Sequence, residues 1–125
     1  MAGKIVADQL QHSTAGTINT QFVVDGSAKA WAKITQDSTH TLNSNLNFSS
    51  LVDGGTGETD LLFTSSMNDA VYAVAIAIYG SNNRHSIAET VSVSQITIQS
   101  FQISSNSTEA DATNGVAFNI MGDLA

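Results

Sequence analysis

YAVAIAIY, residues 72–79, is the stretch that decides the fold. Tyr72, Val74, Ile76 and Ile78 alternate with Ala73, Ala75, Ala77 and Tyr79, so the period is two rather than 3.6. Both sides of the run are apolar, and one of them is built from small alanines. This describes a strand buried on both sides, or one packed closely against a partner. A ten-residue helix over 70–79 is the competing reading, because alanine favours it. Against it, Gly80-Ser81-Asn82-Asn83 follows as a turn, and the neighbouring segments alternate as strands do.

Working outward, Leu61 and Phe63 alternate with Leu62 and Thr64, and Val91 and Val93 with serines. Ile96 and Ile98 alternate with Thr97 and Gln99, then Phe101 and Ile103 with Gln102 and Ser104. The apolar parity flips between Val93 and Ile96 and again between Ile98 and Phe101, and a flip needs a bulge, a corner or a turn. Val116, Phe118 and Ile120 close the series. Further strands are expected over 20–24, 28–34, 42–48, 47–52 and 58–64. Turn material separates them: Asp25-Gly26-Ser27, Gln36-Asp37-Ser38, Gly54-Gly55, Asn82-Asn83 and 106–114. Seven or eight short strands at such spacing predict an all-β antiparallel sandwich, jelly-roll-like. No linker or charge run divides the chain, so residues 1–125 are read as one domain. Residues 1–20 are the least patterned and are expected to form an extended arm. With no proline, the turns fall to Gly, Asn and Asp, which reach positive φ at lower cost than other residues.

Composition narrows the function. The 125 residues carry a net charge of −7 from 11 acidic and 4 basic residues. Lys4, Lys29, Lys33 and Arg84 do not neutralise a useful run of phosphates, so nucleic acid is not an expected partner. Only 12% of residues are charged, whereas Ser, Thr, Asn and Gln number 46. A surface solvated by hydroxyls and amides is commoner on extracellular and virion proteins than on cytosolic enzymes. The absence of cysteine removes disulfides, thiolate metal sites and cysteine nucleophiles. The first 16 residues do not read as a secretory signal, and no apolar run approaches the ~18–20 residues of a membrane helix, so membrane insertion is not expected.

The stretch DGGTGETD, 53–60, looks most like chemistry. Repeat-type calcium motifs place an aspartate two after the third glycine, in tandem copies. Here Asp60 is one residue late and the motif occurs once. A phosphate loop needs a lysine after its last glycine, where Glu58 stands. The preferred reading is a Gly-rich hairpin turn, with Asp53, Glu58 and Asp60 ionised and solvated. His12, His40 and His85 are far apart without metal-site spacing, and are expected in solvent. No G-x-S-x-G elbow supports a catalytic triad. No enzyme, cofactor or metal is therefore expected.

Two places suit recognition. Lys29, Trp31 and Lys33 share one face of the 28–34 segment. A tryptophan flanked by lysines suits a subunit contact or a sugar platform; the plainer reading is packing at the sandwich edge under the lysine stems. Asn82, Asn83, Arg84 and His85 form a candidate recognition loop between two strands, as loop tips on rigid scaffolds often do.

Several segments together resemble one family. Gly26-Ser27-Ala28-Lys29-Ala30-Trp31 is similar to the "GSAKAW" opening of a domain found in bacteriophage tail-fibre and other virion appendage proteins. Phe48-Ser49-Ser50-Leu51 with Asp53-Gly54-Gly55-Thr56-Gly57 resembles its "D-x-G-T-G" passage. Leu62-Phe63-Thr64, Met67, Asp69-Ala70 and Tyr72-Ala73-Val74 resemble its "FTxxMPDAxYxV" pattern, with Asn68 in place of the proline. The lead-in Ile5 to Asp8 and His12 to Gly16, and the closing Val116 to Asp123, are also similar. Residues 36–46 and 82–98 match poorly. The resemblance implies a small β-rich module on a phage particle, commonly a homotrimer, with no catalytic site. With Met1 a short arm's length before Gly26, no upstream shaft is expected, and attachment is expected through the arm, the trimer base, or as a decoration of capsid or tail. The expected function is thus a structural virion protein, a short fibre, spike or decoration. It would bind other copies and other virion proteins, and host surface glycans or a receptor. The alternative is a carbohydrate-binding module recognising host glycans. An enzyme degrading polysaccharide would need two close carboxylates with separated pKa values.

Overall fold

The alternation resolves into strands that build two facing antiparallel sheets and a small separate hairpin. The computed structural model describes residues 3, 6–80 and 83–125. In chain order the strands are β1 (Gln9–His12), β2 (Gly16–Asn19), β3 (Ala28–Thr35), β4 (Thr41–Leu46), β5 (Phe48–Gly55), β6 (Glu58–Phe63), β7 (Ala73–Ile78), β8 (Arg84–Val91), β9 (Gln95–Gln102), β10 (Ser105–Glu109) and β11 (Val116–Met121). One short helix, α1 (Thr20–Gly26), joins β2 to β3. The first sheet runs β4-β3-β11-β7. In the second, β9 pairs with β8 along one side, with β6 over its first half, and with β10 at its end; β6 pairs on to β5. The all-β sandwich expected from the sequence is the fold.

The core lies between the sheets. Period two aims Ala30, Ala32 and Ile34 of β3 inward with Val116, Phe118 and Ile120 of β11, all buried. Their register interleaves large with small: Phe118 lies opposite Ala32, and Ile120 opposite Ala30. The second sheet answers with Phe48, Leu61, Phe63, Ile96 and Ile98. At one end the aromatics interlock across the sheets. Phe48 stacks on Phe63 at 5.0 Å between ring centroids and meets Phe118 edge-on at 5.7 Å. Asn47, at φ 65°, turns the chain from β4 in one sheet to β5 in the other. Its side chain holds that corner by accepting from the Ser65 amide and donating to the Ser65 carbonyl. Residues 42–48 therefore do not run on as one strand. Asparagine reaches left-handed backbone more readily than most residues.

The first parity flip is a hairpin turn between β8 and β9, where the Ser92 amide donates to Gln95. The second flip needs no bulge. Strand β9 runs straight through; Ser100 takes the core position, and Phe101 stands on the opposite face, stacked on His85 at 5.4 Å. Part of the 106–114 segment expected as turn belongs to β10. At residue 68, where the resemblance expects proline, the Asn68 amide donates to the Asp123 carbonyl at 2.9 Å, a bond proline lacks the hydrogen to make.

The N-terminal region differs most from expectation. Residues 20–24 were expected as a strand and form α1 instead. Valine and phenylalanine suit strands, but this segment has no neighbouring strand to pair with, and a helix satisfies its own backbone. Lys29 Nζ and Ser27 Oγ donate to the Val24 carbonyl and close its end. The arm is a hairpin rather than simply extended: β1 pairs β2 from Gln9↔Asn19 to His12↔Gly16. Its turn is closed by His12 Nδ1, which accepts from the Thr14 and Ala15 amides. Every residue of β1 and β2 is exposed, and α1 buries none of its own.

Candidate functional site

The alanine face of β7 and the tryptophan face of β3 are one surface. Both strands pair with β11, and register fixes the rows across the outer face of the first sheet. One row reads Leu46, Trp31, Asn119, Ala75; the next reads Ser44, Lys33, Ala117, Ala77. Alanines make the floor low, and large side chains rise at either side of it. The result is an open groove of about 450 Å3 lined by Trp31, Lys33, Ala75, Ala77, Tyr79 and Asn119 among others. Trp31 is 39% exposed and Tyr79 51%. The Lys33 ammonium sits 4.8 Å from the centre of the Tyr79 ring, a cation–π contact that holds both side chains at the rim. The 72–79 segment is thus not covered on both sides: Val74, Ile76 and Ile78 are half-buried and Ala73, Ala75 and Ala77 are exposed.

Among the expected interface residues, Trp31 and Lys33 lie at this groove. Lys29 does not: its Nζ donates to Ser27 Oγ and the Val24 carbonyl, tying α1 to the start of β3. Period two placed all three on one face but said nothing of what a long side chain finds nearby. Tyr79 and Asn119 belong to the site and were missed; the signal was available in β11, whose outward residues Ala117 and Asn119 bridge the two known faces. The expected recognition loop fares differently. Asn82 lies outside the described residues. Asn83 is exposed at φ 67°. Arg84 and His85 are not loop-tip residues but open β8, both half-buried, with Arg84 Nε donating to the Asp111 carbonyl at 3.2 Å. They are bound to β9 by main-chain pairing, so their side chains are held against the sheet.

A second cluster forms around the DGGTGETD turn. It is a hairpin turn, with Gly55 at φ 117° and Gly57 at φ 75° flanking Thr56; residues 53–56 are exposed, while Gly57 is buried and anchored. The Gly57 amide donates to Asp111 Oδ1 at 2.7 Å, and its carbonyl accepts from the Ser100 amide and from Gln36 Nε2. Gln36 Nε2 also donates to Thr59 Oγ1, and Gln36 Oε1 accepts from the Ala112 amide. His40, expected in solvent, is 6% exposed. Its Nδ1 lies 2.8 Å from Thr59 Oγ1 and 3.6 Å from Asp53, and its Nε2 lies 3.5 Å from Asp111. Because Thr59 accepts from Gln36, its proton is left for His40 Nδ1, and His40 Nε2 faces Asp111. Asp53 accepts from the Gly55 and His40 amides, and these two bonds hold its carboxyl below the ordinary value of 3.8. Glu58 and Asp60 are half-buried on β6 rather than free in the loop, and Asp60 accepts from the Thr97 hydroxyl.

Thr59, His40 and Asp111 are connected in the order of a hydrolytic triad. The Thr59 hydroxyl has no exposed surface and is already bonded on both sides, so no substrate carbonyl reaches it in this conformation. The cluster is a junction that pins the hairpin tip, the 36–40 segment and the 109–112 segment together. Among the described residues, no group of three or more His, Asp or Glu side chains is arranged to hold a metal ion, and no helix is long and apolar enough to cross a membrane. No family model, curated protein or solved structure matches the chain.

Proposed function

We propose that the chain is a structural protein of a phage particle, a short fibre or spike or a decoration module, that works by binding and assembly. It acts as a homotrimer and meets other virion proteins. The observation that supports this most directly is the outer face of the β4-β3-β11-β7 sheet. A floor of alanines between two half-exposed aromatics is a surface that gains by being covered. Among the described residues β4 and β7 are its edge strands, and symmetric closure would hide those edges. The sequence resemblance supplies the particle. Light scattering on the purified protein, with and without chelator, tests the reading. A stable trimer of the 13.1 kDa chain, indifferent to chelator, is the expected result. A monomer at all accessible concentrations overturns self-assembly. Dissociation by chelator would return calcium to the DGGTGETD hairpin.

One observation favours a second reading, a module that binds host glycans: Trp31 and Tyr79 offer sugar-stacking rings in one groove, with the Asn119 amide beside Trp31. A glycan array separates the two. Binding that Trp31→Ala abolishes while the oligomer persists selects the glycan reading.

A further inference from the structure

Among the described residues, two apolar surfaces stand uncovered and suit each other. The first is the groove. The second is the N-terminal arm, where Leu10, Ile18 and Val24 are about half-exposed and Phe22 is 67% exposed. A seven-residue helix that buries nothing has little reason to hold its shape alone. We infer that the arm of one copy packs into the groove of a second copy, with Phe22 of α1 seated over Ala75 and Ala77 between Trp31 and Tyr79. This rests on the proposed self-assembly and names its contact.

Four features argue for that occupant. The groove's volume, about 450 Å3, is within the range of sites that enclose a ligand of several rings or side chains. The groove has room for an aromatic from α1 and an aliphatic neighbour. The charges agree: between residues 6 and 26 the formal charges are Asp8 and Asp25, while the groove's rim carries Lys33 and no carboxylate lines it. The attachment also agrees. Lys29 and Ser27 bond the Val24 carbonyl and tie the end of α1 to the start of β3, the strand that carries Trp31 and Lys33. Finally, an arm-to-groove contact joins two different surfaces. Such head-to-tail contacts close into rings when the rotation permits, and a ring of three is the smallest that is not a reciprocal pair.

The absence of cysteine gives a direct test. Gln21→Cys beside Phe22 and Ala73→Cys at the groove's end, both exposed, are made in separate full-length chains, one carrying a tag. The chains are mixed and treated with a short bismaleimide. A cross-link between the tagged and untagged chains is expected. Adding Phe22→Asp, at a position that contributes nothing to the buried core, should remove the cross-link and weaken self-association about ten-fold or more, with the melting temperature unchanged when both chains are compared as dilute monomers. A trimer without the cross-link, or a cross-link indifferent to Phe22→Asp, overturns the inference and leaves self-assembly standing. Cross-linking only within one chain, when both cysteines are placed in it, overturns it in favour of a self-covered groove. A monomer removes both readings together.

Discussion

The two faces of the β4-β3-β11-β7 sheet are made from the same strands and have opposite fates. The inner face presents Ala30, Ala32, Ile34, Val116, Phe118 and Ile120, each at most 4% exposed. The outer face presents Trp31, Lys33, Ala75, Ala77, Ala117 and Asn119, one residue out of phase along the same backbones. Both are largely apolar. The inner face found a second sheet within the chain; the outer face did not. Apolar content alone therefore does not decide what a fold covers. The decision falls to topology: when two sheets face each other, only one face of each looks inward.

This contrast can be broken most severely on the inner side. Phe118→Ala removes a ring that touches Phe48 and lies over Ala32, and is expected to cost about 3–5 kcal/mol, read as a lower urea midpoint. Gly57→Ala is next. A Cβ there would stand 2.6 Å from the Ser100 carbonyl and 2.8 Å from the Ala110 amide, on a backbone already at positive φ. About 3 kcal/mol is expected. Gly55→Ala on the same turn, with open space around it, should cost about 1–2 kcal/mol for its φ alone. If the two glycines cost the same, the junction does not grip the hairpin tip.

Gln36→Leu ranks third. It leaves the buried Ala112 amide and Thr59 hydroxyl each short of a partner, and about 2 kcal/mol should be lost by chemical denaturation. The outer face gives the smallest change in fold stability and the largest in assembly. Trp31→Ala should lower the stability of the folded monomer by less than about 1 kcal/mol, since its ring packs on an open face, and should abolish the trimer seen by light scattering. An unchanged trimer and melting temperature would show that the outer face is idle.

A final test reads pH. The Asp53 carboxyl sits below the ordinary 3.8 because the Gly55 and His40 amides donate to it. The folded chain then binds that proton less readily than the unfolded chain. Its stabilisation is complete above the ordinary value and is lost as pH falls through it toward the folded value. Asp53→Asn should therefore flatten the acid limb of stability below about pH 4; an acid limb identical to the parent's would assign it to other carboxylates.

How much of this was legible is clearest residue by residue. The alternation at Ile96 and Ile98 placed β9, yet parity misread Phe101, because a core position in that strand is filled by Ser100, hydrogen-bonded to Ser86. His40 was read as solvent-exposed because nothing in the sequence near it announces Thr59 and Asp111. Arg84 and His85 were read as loop because polar residues after Asn82-Asn83 look like turn, although pairing with Gln102 and Phe101 makes them strand. Tyr79 and Asn119 entered the groove only through β11.

By itself the sequence determined the period of two, the all-β class, the glycine turn over 53–57, and the two apolar sides of residues 72–79. These are local, since sterics and side-chain direction act within a few residues. The tertiary structure decided which side met a partner, that residues 20–26 coil into a helix for want of a neighbouring strand, and that Gln36, His40, Thr59 and Asp111 meet. Those outcomes depend on pairings between distant segments, such as Gln36 with Ala112, 76 positions apart in the chain. Register and the choice of neighbouring strand, which no single segment encodes, set them.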